Sequence, residues 1–237
     1  MRASFKTQLC AASIQRLFAG RVAPDGTLVA DNFARWFDQS KVLTETGSPL
    51  RLFHATHHDF SEFQVSPAGY YGGGIYLLDD PKECGEFFGD EGDDTIVPVF
   101  VRLLKPFIFD APRPISEESD RALARVIFSG QALRRVLGEL ERTSDMKDLF
   151  RAELVRLGFD GLIVNQYRGP TEYIAFQPQQ LKSALGNSGL FTTSADLIDS
   201  PQSVEAHCQL ALAIPESEDL DLVGRNTAAW YGCQSRG

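Results

Sequence analysis

The chain has 237 residues, 43% of them apolar, with 23 basic against 32 acidic side chains and a formal net charge of −9. That length supports one large domain with appendages, or one and a half domains. The acidic balance, with no run of lysine or arginine, argues against nucleic acid and anionic membrane as partners and favours a neutral or basic protein surface.

Cys10, Cys84, Cys208 and Cys233 show neither C-x-x-C spacing nor a histidine at ligand spacing. Neither a metal site nor a disulfide scaffold is expected, and reduced thiols fit a cytosolic setting. No apolar run has the length a bilayer span needs. Gln8, Ser13, Gln15 and Arg16 interrupt the first apolar stretch, so no cleavable signal peptide is expected.

In chain order, residues 1–28 read as an N-terminal appendage. It carries one weak amphipathic helix (Leu9, Ile14, Leu17, Phe18), ended by Gly20 and Pro24-Asp25-Gly26. Phe33, Trp36 and Phe37 then fall at helical spacing. Val42-Leu43, the turn Thr46-Gly47-Ser48-Pro49, and Leu50 to His54 read as strand, turn, strand. A glycine- and tyrosine-rich loop from Gly69 to Gly74 leads into a short strand from Ile75 to Leu78. Asp80 as N-cap and Pro81 in the first turn open a helix through Phe88. Ile96 to Leu104 and Phe107 to Phe109 are predicted as strands broken at Pro106.

Residues 116–142 read as a helical insert with a break at Gly130. Asp145 to Leu157 is an amphipathic helix with Met146, Leu149, Phe150, Leu154 and Leu157 on one side, stopped by Gly158. Leu162 to Val164 and Tyr173 to Phe176 are strands joined by a turn around Gly169-Pro170. Residues 192–237 turn polar and form a C-terminal extension, with one helical candidate from Val204 to Ala213. Helices and strands alternate without a βαβ rhythm, and no G-x-G-x-x-G follows a first strand. An α+β fold is therefore expected rather than a doubly wound one.

Three segments each set one polar or aromatic group in a strand-like stretch: Phe53-His54-Ala55-Thr56, Gly72-Gly73-Gly74-Ile75-Tyr76-Leu77 and Thr171-Glu172-Tyr173-Ile174-Ala175-Phe176. Alternation sends His54 to the face opposite Phe53, where it can donate to a ribose hydroxyl; a core histidine bonded to backbone is the commoner use. Ala55 is small enough for a ligand to reach its backbone N–H and C=O. The glycine run permits close approach of backbone to ligand but lacks the lysine and hydroxyl of a P-loop, so an ordinary hairpin tip stays open. Tyr76 and Phe87 can bracket a flat heteroaromatic ring, each contact contributing about 0.5–1.5 kcal/mol beyond area burial. Phe87 reads equally as core. Glu172 is the sharpest residue, because a carboxylate on an apolar strand is costly unless exposed or partnered. Either it stands beyond the sheet in water, or it faces a cleft and stabilises an oxocarbenium-like transition state, as in glycoside hydrolysis.

Taken in order, these segments resemble the His-Tyr-Glu branch of the ADP-ribosyltransferase superfamily (diphtheria-toxin and PARP type), in particular the ADP-ribosyltransferase domain of phage and plasmid polyvalent proteins and bacterial effectors. Trp36-Phe37, Ser40-Lys41-Val42, Gly47-Ser48-Pro49 and Phe53-His54-Ala55-Thr56 resemble that family's W-F-x-x-S-K-V…G-x-P…Y-H-G-T run. Gly74-Ile75-Tyr76-Leu77 resembles its G-I-Y-F, and Gly158-Phe159-Asp160-Gly161 with Glu172-Tyr173 resembles its G-Y-D-G…E-Y. Gln180-Leu181-Lys182-Ser183 and Gly186-Asn187 extend the likeness, which runs from about Asn32 to Phe191.

The resemblance implies a catalytic domain over 29–191, with a split β-sheet around an NAD-binding cleft, flanking helices and the helical insert. It makes NAD+ a substrate and requires no metal. His54, Tyr76 and Glu172 would be catalytic. His54, Ala55, Thr56, Gly74, Tyr76, Cys84 and Phe87 would hold the donor: His54 on a ribose hydroxyl, Ala55 on the carboxamide, Tyr76 and Phe87 stacked on nicotinamide. Residues 66–73 would cover the donor. Tyr167, Arg168 and Thr171, on the connection before the glutamate, would face the acceptor. Ala55 replaces the usual glycine, Phe87 a tyrosine, and Cys84 a serine of the PARP branch. Pro170 stands two before the glutamate, where arginine-specific enzymes carry an acid or amide, so arginine is not the expected acceptor. The implied activity is mono-ADP-ribosylation of a protein such as ubiquitin, a GTPase or a translation factor. The implied setting is a toxin or effector exported from a bacterial cytoplasm into that of a host. An NAD+ glycohydrolase and a non-catalytic NAD- or protein-binding module are the alternatives.

Overall fold

The computed structural model describes residues 5–56, 60, 62–67, 69–87, 95–111, 117–141, 148–166 and 169–199. Two helices, α1 (Phe5–Leu17) and α2 (Val29–Phe37), precede strand β1 (Arg51–Thr56). Then come β2 (Ile75–Leu78), α3 (Pro81–Phe87), β3 (Thr95–Val101) and β4 (Pro106–Asp110). Three helices follow, α4 (Glu117–Ile127), α5 (Gly130–Leu140) and α6 (Asp148–Arg156), and the sheet is completed by β5 (Gly161–Asn165), β6 (Thr171–Ala175) and β7 (Leu181–Ser183). The predicted helix from Val204 to Ala213 lies outside the described residues.

The seven strands run in the order β4-β5-β6-β2-β1-β3-β7. Every pair is antiparallel except β4 with β5. The join in the middle is thin. β1 registers with β3 from Arg51↔Phe100 to Thr56↔Thr95, and β2 with β6 from Ile75↔Ala175 to Leu78↔Glu172, but β1 meets β2 only at Phe53↔Leu78. The sheet is thus two halves, β4-β5-β6-β2 and β1-β3-β7, parting beyond one residue pair. This is the expected α+β, split-sheet architecture.

Alternation then sorts the side chains. Leu52, Ile75, Leu77, Val97, Val99, Val101, Ile163 and Ala175 form one core face with Phe63 and Leu197. On the other face, Leu162, Val164 and Ile174 pack with Leu123 and Ala124 of α4 and Phe150 and Leu154 of α6. Ile14 and Phe18 at the N-terminal end pack with Phe33, Trp36, Phe37, Phe100 and Phe191. Burial of this kind contributes roughly 1.5–3 kcal/mol per large apolar side chain.

Asp80 accepts the Lys82 N–H at 2.8 Å and Pro81 occupies the first turn of α3, as predicted. Gly158 ends α6 with φ +82°, and the paired bonds Phe159 N–H→Leu154 O and Gly158 N–H→Val155 O make a Schellman turn. Leu157, expected on the buried side, falls inside that turn and is 41% exposed. The predicted strand Ile96 to Leu104 stops at Val101, because the Asp160 carboxylate captures the Leu104 and Lys105 N–H groups at 2.6 and 2.9 Å and turns the chain. Pro106 therefore starts edge strand β4, a position where a missing N–H is tolerated. The expected Val42-Leu43 strand reduces to one bridge, Leu43↔Pro49, closed by a turn over Thr44 to Ser48.

Candidate active site

A narrow cleft opens where β1 and β2 part. It is lined by Phe53, His54, Ala55, Tyr76, Leu77, Leu78, Cys84 and Glu172. The imidazole, phenol and carboxylate singled out in the sequence therefore border one cavity. The register explains how. Phe53↔Leu78 and Leu78↔Glu172 put Ala55, Tyr76, Leu78 and Glu172 on a common face. His54 alternates to the other face and reaches the cavity through the gap.

Glu172 does not stand beyond the sheet in water: it is 3% exposed, between Leu78 of β2 and Val164 of β5. Its Oε1 accepts the Gln166 Nε2 amide at 2.8 Å, while its Oε2 is buried with no hydrogen-bond partner. Burial raises its pKa to about 7, and the Gln166 bond partly opposes that rise. Among the described residues lining the cleft there is no lysine or arginine to offset the charge.

The His54 Nδ1 lies 2.8 Å from the Tyr76 carbonyl oxygen, which can only accept, so Nδ1 carries the proton. Burial holds the ring below its ordinary pKa and hence neutral. The ring as it stands offers an acceptor, not a donor, at Nε2. Phe63 packs edge-on to the imidazole at 5.0 Å and Phe60 at 6.1 Å, fixing its plane.

The Tyr76 hydroxyl is fully used by the loop before it: it accepts the Tyr71 N–H at 2.8 Å and donates to the Gly72 carbonyl at 2.7 Å. Burial drives it far above its ordinary pKa, so the phenol stays neutral. Gly69 lies against the ring; a Cβ there would sit 2.0 Å from ring carbon Cε2. Ala55 is buried, and β1 has no registered pair with β2 beyond Phe53, so the two strands diverge along its backbone. The Cys84 thiol contacts the Phe53 carbonyl at 3.5 Å, and burial pushes its pKa up to about 12, which makes it an inert lining group rather than a nucleophile.

Other expected residues stand apart. Thr56 and Gly74 do not line the cleft. Gly74 exchanges two backbone bonds with Ser66, and a Cβ on it would meet Ile174 Cγ2 at 2.3 Å, so its bareness serves sheet packing. The Thr171 N–H donates to Asp79 Oδ1 at 3.1 Å, which fixes the start of β6. The Phe87 side chain, Tyr167 and Arg168 lie outside the described residues.

Two participants carry no sequence signal. Gln166 donates to Glu172 and, at 3.3 Å, to the Tyr71 hydroxyl; Tyr71 is 2% exposed with its pKa pushed up to about 12 by burial. Ser119 and Asp120 of α4 lie close enough to influence the Tyr71 hydroxyl, so the helical insert borders the site. Among the described residues no cluster of histidine, cysteine, aspartate or glutamate could hold a metal ion.

Residues 44–191 match the family model described as ADP-ribosyltransferase in polyvalent proteins. The match spans more than half of the chain, and the chain belongs to that family. ADP-ribosyltransferases take NAD+ as substrate, and the fold, with its cleft at the sheet split, agrees with this membership. No curated protein matches the chain. Among solved structures, one described as the crystal structure of an anti-CRISPR protein is similar at 17% identity, over 53% of this chain and 88% of that one, with a TM-score of 0.30.

Proposed function

We propose that this protein is a mono-ADP-ribosyltransferase that cleaves the nicotinamide–ribose bond of NAD+ and transfers ADP-ribose to a protein side chain other than arginine. One observation carries the reading: a buried carboxylate with one oxygen tethered and the other unpartnered, on a cleft that also presents a neutral imidazole and a phenol ring. Family membership supports the same chemistry.

In this reading the nicotinamide lies against Tyr76, with its carboxamide on the Ala55 backbone. His54 Nε2 accepts a hydrogen bond from a ribose hydroxyl and orients the sugar. Glu172 Oε2 takes the 2′-hydroxyl of the nicotinamide ribose. As the C1′–N bond breaks, its electron pair leaves with nicotinamide and positive charge grows on C1′ and the ring oxygen. A fixed carboxylate stabilises that charge more than the ground state, and the apolar lining strengthens the effect by excluding water. The acceptor then forms the new bond to C1′ and gives up its proton. A mainly apolar cleft, with no lysine or arginine among its described lining residues, supports the handling of a cationic pyridinium. Delivery as an effector or toxin into a host cytoplasm, onto a protein such as ubiquitin, a GTPase or a translation factor, rests on the family resemblance alone.

The test is incubation of the protein with labelled NAD+ and a eukaryotic lysate, followed by mass spectrometry. Single ADP-ribose units on a discrete protein at a non-arginine residue are expected. Release of free ADP-ribose with no labelled macromolecule would replace the transferase by a glycohydrolase. Modified arginine would refute the acceptor class.

A further inference from the structure

We propose that Gln166 is the positioning residue of this site: its amide nitrogen fixes one oxygen of Glu172, leaves the other turned to the ligand, and ties the pair to Tyr71. The proposal rests on the reading above for what the carboxylate acts upon, but the contact itself stands independently.

The geometry argues for more than packing. Gln166 is the first residue after β5, on the connection that Asn165↔Thr171 closes into a hairpin. A glutamine at such a place ordinarily extends into solvent. Here the side chain turns inward and spends both amide hydrogens on internal acceptors, Glu172 Oε1 at 2.8 Å and Tyr71 Oη at 3.3 Å. The far end of the same connection is pinned by the Thr171 N–H on Asp79. No other protein donor reaches the carboxylate among the described residues, so without Gln166 both of its oxygens would be buried and unmet.

Among the described residues, the titratable groups packed around Glu172 are His54 from β1, Tyr76 from β2, Cys84 from α3, Tyr71 from the loop before β2 and Asp120 from α4. His54 is held neutral, the two phenols and the thiol are protonated through neutral pH, and Asp120 is acidic. None supplies a cation. The Gln166 amide is therefore the group that favours the ionised carboxylate, opposing the burial that disfavours it. Held by one oxygen, the carboxylate is also restricted in its rotation.

Gln166→Met keeps length and volume but cannot donate. With 13C-labelled glutamate, the Glu172 carboxyl resonance is followed against pH in both proteins, with Glu172→Gln for assignment. The titration midpoint should rise by about one to two pH units in Gln166→Met, as expected for loss of a hydrogen bond to a charged acceptor. In parallel, nicotinamide release should fall about ten-fold or more at pH 7 and recover towards pH 9. Gln166→Glu, isosteric with the native residue, should convert the single titration into two coupled steps, with one midpoint well above that of wild type. An unmoved midpoint in Gln166→Met, or independent titration of the new carboxyl in Gln166→Glu, overturns the proposal. Absence of nicotinamide release from wild type would instead count against the assigned reaction, because the resonance shift does not depend on turnover.

Discussion

Glu172 carries two opposed demands. Its burial makes the ionised form costly, and the reaction assigned to it needs that form. The folded-state pKa of about 7 lies above the ordinary 4.5, so the folded protein retains a proton that the unfolded chain has already released between those values. Stability contributed by this group is present below pH 4.5, declines as pH rises towards 7, and is lost above it. The loss is on the order of 3 kcal/mol. Glu172→Gln should therefore raise the melting temperature at pH 8.5 by several degrees and leave it nearly unchanged at pH 4.5, a difference that calorimetry at the two pH values measures. In wild type, kcat/KM for nicotinamide release should fall as pH drops below about 7, since that parameter reports the ionisation of the free enzyme. A profile flat from pH 5.5 to 8 would remove the carboxylate from the chemistry. His54, Tyr76 and Glu172 were legible in the sequence because each is a polar or aromatic group where alternation predicts an aliphatic one. Gln166 was not, since a polar residue on a connection is unremarkable until the side chain is seen to turn inward. The proton position on His54 was equally hidden, because it depends on a carbonyl 22 residues away.

At the scale of elements, the loop before β2 is held by the residue that follows it. Ser66 and Gly74 close its base with two backbone bonds, and the Tyr76 hydroxyl locks its interior to the Tyr71 N–H and Gly72 carbonyl. Tyr76→Phe keeps the ring and deletes both bonds, leaving two backbone groups to find water. The Tyr71 amide should then exchange with solvent about ten-fold faster, read by hydrogen exchange, because one lost bond of this kind is worth about 1–1.5 kcal/mol. Gly74→Ala should destabilise the fold by about 1–3 kcal/mol through the clash with Ile174, measured by urea unfolding. Several motifs that carried the family likeness proved to be architecture. In Gly158-Phe159-Asp160-Gly161, glycine caps α6, Phe159 packs on Phe107 at 5.1 Å, and the aspartate turns β3 towards β4. Gln180 accepts the Phe176 and Gln177 N–H groups and donates to the Asp160 carbonyl, joining that motif to the end of β6. Helices α3, α4, α5 and α6 were readable from caps, glycines and periodicity. The end of β3 was not, since the carboxylate that sets it lies more than fifty residues later.

Across the whole molecule, the sheet is completed by contacts distant in sequence. Lys182 on β7 is fully buried, its Nζ 2.6 Å from Asp199 Oδ1, with the Ser194 and Asp196 carbonyls as further acceptors. Asp199 also receives the Thr192 and Ser194 hydroxyls. Residues 192–199, read from sequence as the start of a polar extension, are thereby clasped to the β1-β3-β7 half. Asp199→Ala leaves a buried cation without its counter-charge and should cost about 3–5 kcal/mol in urea unfolding, whereas a double change of Lys182→Met with Asp199→Ala should cost much less than the two single changes summed. The N-terminal segment and the helical insert, read as peripheral, supply Ile14, Phe18, Leu123 and Ala124 to the core. Composition gave no sign of this, because a few apolar residues on a polar helix look alike whether they meet a core or a partner. The split itself follows from strand pairing, which no local pattern encodes.

The two half-sheets and the carboxylate between them meet in one assay, nicotinamide release from NAD+ by wild type and Glu172→Gln, with NAD+ binding measured on both by calorimetry. Wild type should release nicotinamide, and the variant should bind NAD+ comparably while releasing it about 10²–10³-fold more slowly. Equal release by the two proteins, or no binding of NAD+ by either, would contradict a donor site at the parting of β1 and β2.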